Sequence, residues 1–195
     1  NQPDTPPFFK YSNTRFSYSS PACGHNSVLQ TFSDSLRKIK AKKDSIPIVR
    51  QAICEASGKD DAEITCRSMI ESCLQDGVVS FQRYCEGMYE PFGNPSLNTF
   101  QRLDQGSEYW RNAVGSGYED WLSTDEMNSL IILFQKRHLL SHSEGIVDAR
   151  YIQKSTDRTY KEGQRIVVTG NDIDHLVSLV SKLSNNIRDA CDKRY

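Results

Sequence analysis

The chain has 195 residues, with 24 Lys and Arg against 25 Asp and Glu, which gives a formal net charge of −1. This length suits one sizeable hydrophobic core. The balanced charge excludes a surface that is basic throughout, so any contact with nucleic acid must come from local patches. No apolar run reaches the roughly 18 residues that a membrane-spanning helix needs. We therefore expect a soluble, cytoplasmic protein that has no membrane attachment.

Residues 1–25 differ in character from the rest of the chain. Three prolines fall within the first seven residues, and no apolar periodicity is present, so we expect an extended N-terminal arm. Cys23 and His25 resemble half of a zinc ribbon, but Ser20 stands where the first cysteine would be. A structural zinc ion needs four ligands, and only two are found here. We expect no metal in this arm, which could be the remnant of an upstream zinc ribbon.

Residues 26–195 show the apolar periodicity of helices and predict a single all-α domain. Breaks at Pro47, Gly58 and Gly145 set expected helix ends. The predicted helices, in chain order, begin at Asn26 or Ser27, at Pro47, near Asp61 (ending at Tyr89), near Gln105 (ending at Asn112), at Ser123 or Thr124, and after a cap at 169–172.

Two short apolar stretches before the last helix look like strands. They are Tyr151-Ile152 and Arg165–Val168, and a polar segment separates them. This pattern predicts a small β-hairpin. The expected architecture is an up-and-down bundle of about four main helices with short extra helices and this hairpin.

Five of the six cysteines occupy apolar positions of predicted helices. Buried free thiols pack as small hydrophobic groups, and nothing in the sequence indicates a disulfide framework. We therefore expect reduced, structural cysteines. These residues are Cys54, Cys66, Cys73, Cys85 and Cys191.

The first predicted helix carries a run of basic residues: Arg37, Lys38, Lys40, Lys42 and Lys43. One interpretation is a solvated helix face that favours the C-terminal end of the helix dipole. The other is a patch that contacts RNA phosphates, since backbone contacts supply most of the affinity for nucleic acid. Both interpretations stay open at this point.

Arg137 and His142 are the candidate catalytic pair. They lie five positions apart, which is roughly 140° around an ideal helix, with His142 in the last turn before Gly145. A helix C-terminus favours an imidazolium, and an arginine fork suits a phosphate. Together they supply what RNA cleavage by its own 2′-hydroxyl requires, without a metal or another cofactor. The alternative is that both residues only cap the helix and pair at the surface.

The sequence Arg-His-Leu-Leu-Ser-His at 137–142, followed by Gly-Ile-Val-Asp at 145–148, resembles the R-x4-6-H signature of HEPN domains. The resemblance runs from about residue 76 to the C-terminus. Its further support comes from 76–81, 100–103, 151–152 and 163–166.

The resemblance implies an all-helical, metal-independent endoribonuclease. Arg137 and His142 would be the defining residues, with His138 orienting or assisting. HEPN ribonucleases form their site across a homodimer and leave a 2′,3′-cyclic phosphate and a 5′-hydroxyl. Such domains occur in toxin–antitoxin, abortive-infection and antiviral systems, so an antitoxin or regulatory partner is expected. The alternative is a non-catalytic HEPN-like module for dimerisation or for binding nucleotides or RNA.

Overall fold

The computed structural model describes residues 27–96 and 98–194, and within these ranges the chain is all-α. The arm at 1–25, with Cys23 and His25, lies outside the described residues. No helix in the described part is long and apolar enough to cross a membrane. The helices are α1 (Val28–Ser57), α2 (Lys59–Tyr89), α3 (Leu103–Val114), α4 (Tyr118–Trp121), α5 (Thr124–His142), α6 (Ala149–Lys154) and α7 (Gly170–Asp192), with 3-10 turns at Glu90–Phe92 and Thr99–Gln101.

Helix α1 continues through Pro47, so the prediction of a separate helix starting there is wrong. An internal proline costs about 3 kcal/mol because it lacks an N–H donor and its ring crowds the preceding turn. Packing along α2 outweighs this cost. The two helices run antiparallel, because residues near the start of α1 contact residues near the end of α2, and residues near the end of α1 contact the start of α2. The contacting pairs are Phe32 with Tyr84, Ile39 with Cys73, Ile46 with Cys66, and Arg50 with Glu63.

Helix α2 lies at the centre of the core and contacts α1, α5 and α7. The Phe81 ring lies 6.5 Å from the Phe134 ring of α5, and the Tyr84 hydroxyl donates to the Ser184 carbonyl of α7 at 2.8 Å. The apolar faces of α2 and α7 are almost fully buried. The sequence predicted both of these long helices, and their existence is confirmed.

The cysteines in the described part are free, as predicted. Cys66, Cys73, Cys85 and Cys191 are buried, and Cys54 is half-buried. Burial raises the pKa of the Cys85 thiol to about 12, so this group stays protonated and packs as an apolar side chain.

The predicted β-hairpin before the last helix is not formed. Tyr151 and Ile152 lie in α6, because the Asp148 carboxylate caps this helix by accepting from the Tyr151 N–H at 2.7 Å. A single antiparallel bridge instead joins Ile146 to Arg165. The strand-like segment at 165–168 therefore pairs with the residues just after α5.

Candidate active site

Hydrogen bonds fix both ends of α5. Ser123 and Glu126 form a capping box at its start, where the sequence predicted that the helix begins. His142 is its last helical residue. The Leu139 carbonyl accepts from the N–H groups of Ser143 at 2.8 Å and Gly145 at 3.0 Å. Gly145 has φ +80°, which favours glycine, so the chain turns sharply after His142.

The turn after α5 is held by residues 163–166. The Ile166 N–H donates to the Gly145 carbonyl at 2.9 Å, and the Val147 N–H donates to the Gln164 carbonyl at 2.8 Å. Arg165 forms a two-pronged pair with Glu71 of α2, with nitrogen–oxygen distances of 2.6 and 3.2 Å. The backbone beside His142 is thereby tied to the core helix.

His138 and His142 are the side chains that the structure brings together at this helix end. They lie one helical turn apart, and their ring centroids are 4.6 Å apart with an interplanar angle of 48°. His142 is exposed and His138 is partly buried. Among residues 27–96 and 98–194, neither ring makes a hydrogen bond or an ion pair. The pair presents free ring nitrogens at the surface.

The surroundings of His138 favour its neutral form. Burial is the largest cause that lowers its pKa, followed by the positive charges of His142, Arg150 and Arg137, while Asp148 acts in the opposite direction. A neutral imidazole can accept a proton at neutral pH. The sequence assigned His138 only an assisting role, but the structure makes it the direct neighbour of His142.

Arg137 carries a guanidinium without a polar partner in the described part of the chain. Its Nε atom is buried and has no hydrogen-bond acceptor there. Burial lowers the pKa of Arg137, and no acidic group opposes this effect. The side chain is still a cation at neutral pH, because the ordinary arginine pKa lies far above 7. A buried guanidinium nitrogen without an acceptor is unusual in a folded protein.

The neighbouring Lys136 shows the opposite arrangement. The residue is 7% exposed, and its Nζ donates to the Val167 carbonyl at 3.1 Å and to Asp172 at 3.3 Å. Asp172 also completes the capping box of α7 with Thr169. Lys136 is therefore a structural cation that joins α5 to the start of α7.

Arg137 and His142 do not share one side of the helix. Helix α5 continues through His142, so the five-residue spacing corresponds to roughly 140° between them. His138 lies between them, about 100° from Arg137 and about 40° from His142 on the same scale. The helix therefore does not align these two side chains on one face.

The sequence did not single out Arg150. It lies on the exposed side of α6, two residues after the capping Asp148, and its charge acts on His138. In the described ranges it has no ion pair or hydrogen bond of its own. If residues 151–152 had been assigned to a helix, the capping pattern at Asp148 would have put Arg150 in the first turn of that helix.

The basic run on α1 is spread around the helix and does not form one stripe, given about 100° per residue. Three of its members pair with acidic side chains: Arg37 with Asp34, Lys42 with Asp76, and Lys43 with Asp44 and Asp174. Lys38 and Lys40 are exposed, and neither is paired within the described residues. These two are the members that are free to meet a phosphate.

A separate cleft of about 720 Å³ lies between α1, α2 and residues 165–170. Ile70 and Ile166 contribute to its apolar lining, and Arg137 and His142 are not part of it. Its basic residues, which the sequence did not single out as a group, are Lys43, Arg50, Arg67 and Arg165. Arg50 and Arg165 are paired with Glu63 and Glu71 in the same cleft.

Within the described residues, no group of three or more His, Cys, Asp or Glu side chains is placed to hold a metal ion. No protein-family model matches the sequence, and neither the curated proteins nor the solved structures contain a significant match.

Proposed function

We propose that this chain is a metal-independent endoribonuclease of the HEPN type. The observation that supports it most is the guanidinium of Arg137, which has a buried Nε without a polar partner in the described residues. His138 and His142, which have free ring nitrogens in the described part of the chain, follow it on the same helix. A phosphodiester provides anionic acceptors for the guanidinium, and its neighbouring 2′-hydroxyl carries a proton that an imidazole can remove.

In the proposed reaction, His142 moves the proton. It takes the proton from the 2′-hydroxyl or returns one to the 5′-oxygen of the leaving nucleotide. Arg137 binds the phosphate and the negative charge that grows on it in the transition state. His138 orients His142 or accepts the proton itself. The expected products are a 2′,3′-cyclic phosphate and a 5′-hydroxyl.

The angular separation of Arg137 and His142 on α5 supports a site built by two copies of the chain. Two α5 ends that face each other across a two-fold axis would place both residue types on each side of one phosphate. A homodimer of up-and-down helical bundles is therefore part of the proposal. RNA would lie across the joint surface, with Lys38 and Lys40 as candidate phosphate contacts away from the centre.

The proposed biological setting is the cytoplasm, where the nuclease would be the effector of a toxin–antitoxin, abortive-infection or antiviral system. An antitoxin or another regulatory partner would then restrain it. This setting follows from the resemblance to HEPN domains.

Cleavage of unstructured RNA by the purified chain in EDTA is the direct test. We expect His142→Ala to lower the rate by about 10²- to 10⁴-fold, since general acid–base catalysis contributes about this much. His175→Ala is the matched control, because His175 is an exposed histidine of α7. Products should carry a cyclic phosphate, and light scattering should give the mass of a dimer.

Two results would contradict the proposed ribonuclease. A folded dimer that binds RNA at high concentration and leaves it intact would exclude the enzyme and favour a non-catalytic binding module. Loss of activity in EDTA, restored by Mg²⁺, would contradict a metal-independent mechanism. For the basic run, Lys38→Glu combined with Lys40→Glu should weaken RNA binding and reduce its salt dependence. Unchanged binding would show that these lysines are only solvated residues of α1 and do not contact RNA.

A further inference from the structure

The two imidazoles at the end of α5 also have the arrangement of a chelating pair. His138 and His142 lie at positions i and i+4 of a regular helix, which places both on one face. Their ring centroids are 4.6 Å apart. No ring nitrogen of either residue is engaged by another group in the described part of the chain, and His142 is exposed. An ion from solution can therefore reach both rings.

The centroid distance can be compared with that of two imidazoles on one metal ion. A metal–nitrogen bond of about 2.0–2.1 Å places the ion about 3.2 Å from each ring centre. Two ligands at 90° then have centroids about 4.5 Å apart, and two ligands at a tetrahedral angle have centroids about 5.2 Å apart. The observed 4.6 Å falls in this range, so both rings can reach one ion. Ni²⁺ and Cu²⁺ stand at the high end of the affinity order of divalent first-row metals for nitrogen ligands.

We propose that His138 and His142 together bind a divalent late transition-metal ion of the Ni²⁺ and Cu²⁺ class, with one nitrogen from each ring at neighbouring coordination positions. The described residues offer no third ligand, so water fills the remaining positions. Such a site is reversible and open to solvent. The ion is not a cofactor of the proposed reaction.

Metal binding would inhibit the proposed ribonuclease, and this consequence rests on the proposed function. A ring nitrogen that is bound to a metal ion cannot accept or return a proton. Both His142 and its neighbour would be occupied at once, while Arg137 would face an additional positive charge. The α5 end would then be a point where free transition metals switch off RNA cleavage.

Isothermal titration calorimetry of the full chain with Ni²⁺ tests the binding itself. We expect saturable binding of one ion per chain. His138→Ala and His142→Ala should each weaken it by about tenfold or more, because loss of a ligand should cost at least as much as loss of an outer-shell group. His175→Ala removes an exposed histidine of α7 and should leave the affinity unchanged. Equal affinity in all three variants would overturn the proposal, as would loss of binding in the control.

Spectroscopy on the unaltered protein makes the test independent of the folding of any variant. Substoichiometric Cu²⁺ should broaden the ring proton signals of His138 and His142 and spare those of His175. Broadening of the His175 signals without those of the pair would contradict the site. The signals are assigned on the isotope-labelled wild-type protein.

A cleavage assay with Ni²⁺ separates the two proposals. If the chain cleaves RNA, Ni²⁺ should inhibit the wild type, and about tenfold more Ni²⁺ should be needed to inhibit the residual activity of His138→Ala. Cleavage without any calorimetric binding of Ni²⁺ would refute the metal site alone. Binding of Ni²⁺ by a chain that never cleaves RNA would refute the ribonuclease alone.

Discussion

Replacement of Arg137 by methionine is expected to stabilise the fold while it removes the proposed activity. A buried polar group without a partner costs about 1–3 kcal/mol, and the Nε of Arg137 is such a group within the described residues. The rest of the guanidinium is only partly buried, so we take the lower end of this range. Methionine fills much of the space of the arginine stem without a charge. The free energy of unfolding should rise by about 1 kcal/mol.

Urea denaturation followed by circular dichroism measures this change. With a slope of about 1–3 kcal/mol per molar urea, the midpoint should move up by roughly 0.3–1 M. Arg165→Met is the matched control, because Arg165 is held by Glu71 and its replacement should lower stability by up to about 1 kcal/mol. A midpoint for Arg137→Met that falls as far as that of the control would refute the reasoning. Arg137 would then be a structural residue.

Three further changes test the fold around the site. Lys136→Met should lower the free energy of unfolding by about 3 kcal/mol, because it leaves Asp172 without its buried cation. Urea denaturation measures this change, and a loss below about 1 kcal/mol would contradict the structural role of Lys136. Gly77→Ala would place a Cβ 2.6 Å from Leu176 Cδ2 in a filled core, so we expect a loss of about 1–3 kcal/mol. Gly170→Ala should change stability little, because its added Cβ would lie 3.9 Å from Lys43 Cδ. Hydrogen bonds from Lys182 and Ser123 hold the pKa of Glu126 at about 2, below its ordinary 4.5, so its contribution is complete above about pH 4.5 and lost as the pH falls towards 2. The stability difference between wild type and Glu126→Gln should shrink over this pH range, and a constant difference would show that Glu126 does not act through its charge.

Helix caps were readable from the sequence because their chemistry is local. Ser123 with Glu126 and Thr169 with Asp172 carry the donor and acceptor that each cap needs within three residues. Gly58 marks the junction of α1 and α2 for a similar reason, since its φ of +97° suits glycine. These features do not depend on which other helix packs nearby.

Pro47 and the segment 151–152 were misassigned because the deciding forces lie elsewhere in the chain. The proline is tolerated in α1 because the whole length of α2 packs beside it. Tyr151 has the composition of a strand residue, yet a cap from Asp148 and a hydrogen bond from its hydroxyl to Asp157 place it in a helix. Local propensity was outweighed in both cases.

The candidate residues came from the sequence, but their geometry did not. Spacing along α5 gave Arg137 and His142, the resemblance added His138, and the structure shows that the two histidines lie one helical turn apart. The missing polar partner of Arg137 and the charge of Arg150 beside His138 depend on the path of residues 143–150. That path follows from the pairing of 145–147 with 163–166, which no sequence period encodes.

The cations around the α5 end divide into those that hold the structure and those that are left available. Lys136 ties α5 to the cap of α7, and Arg165 ties the turn beside Gly145 to α2. These two pairs fix the backbone on both sides of the motif. Arg137 is adjacent to Lys136 in sequence, yet in the described part of the chain it has no acceptor. In the proposed site, this unpaired guanidinium would bind the phosphate of an RNA substrate.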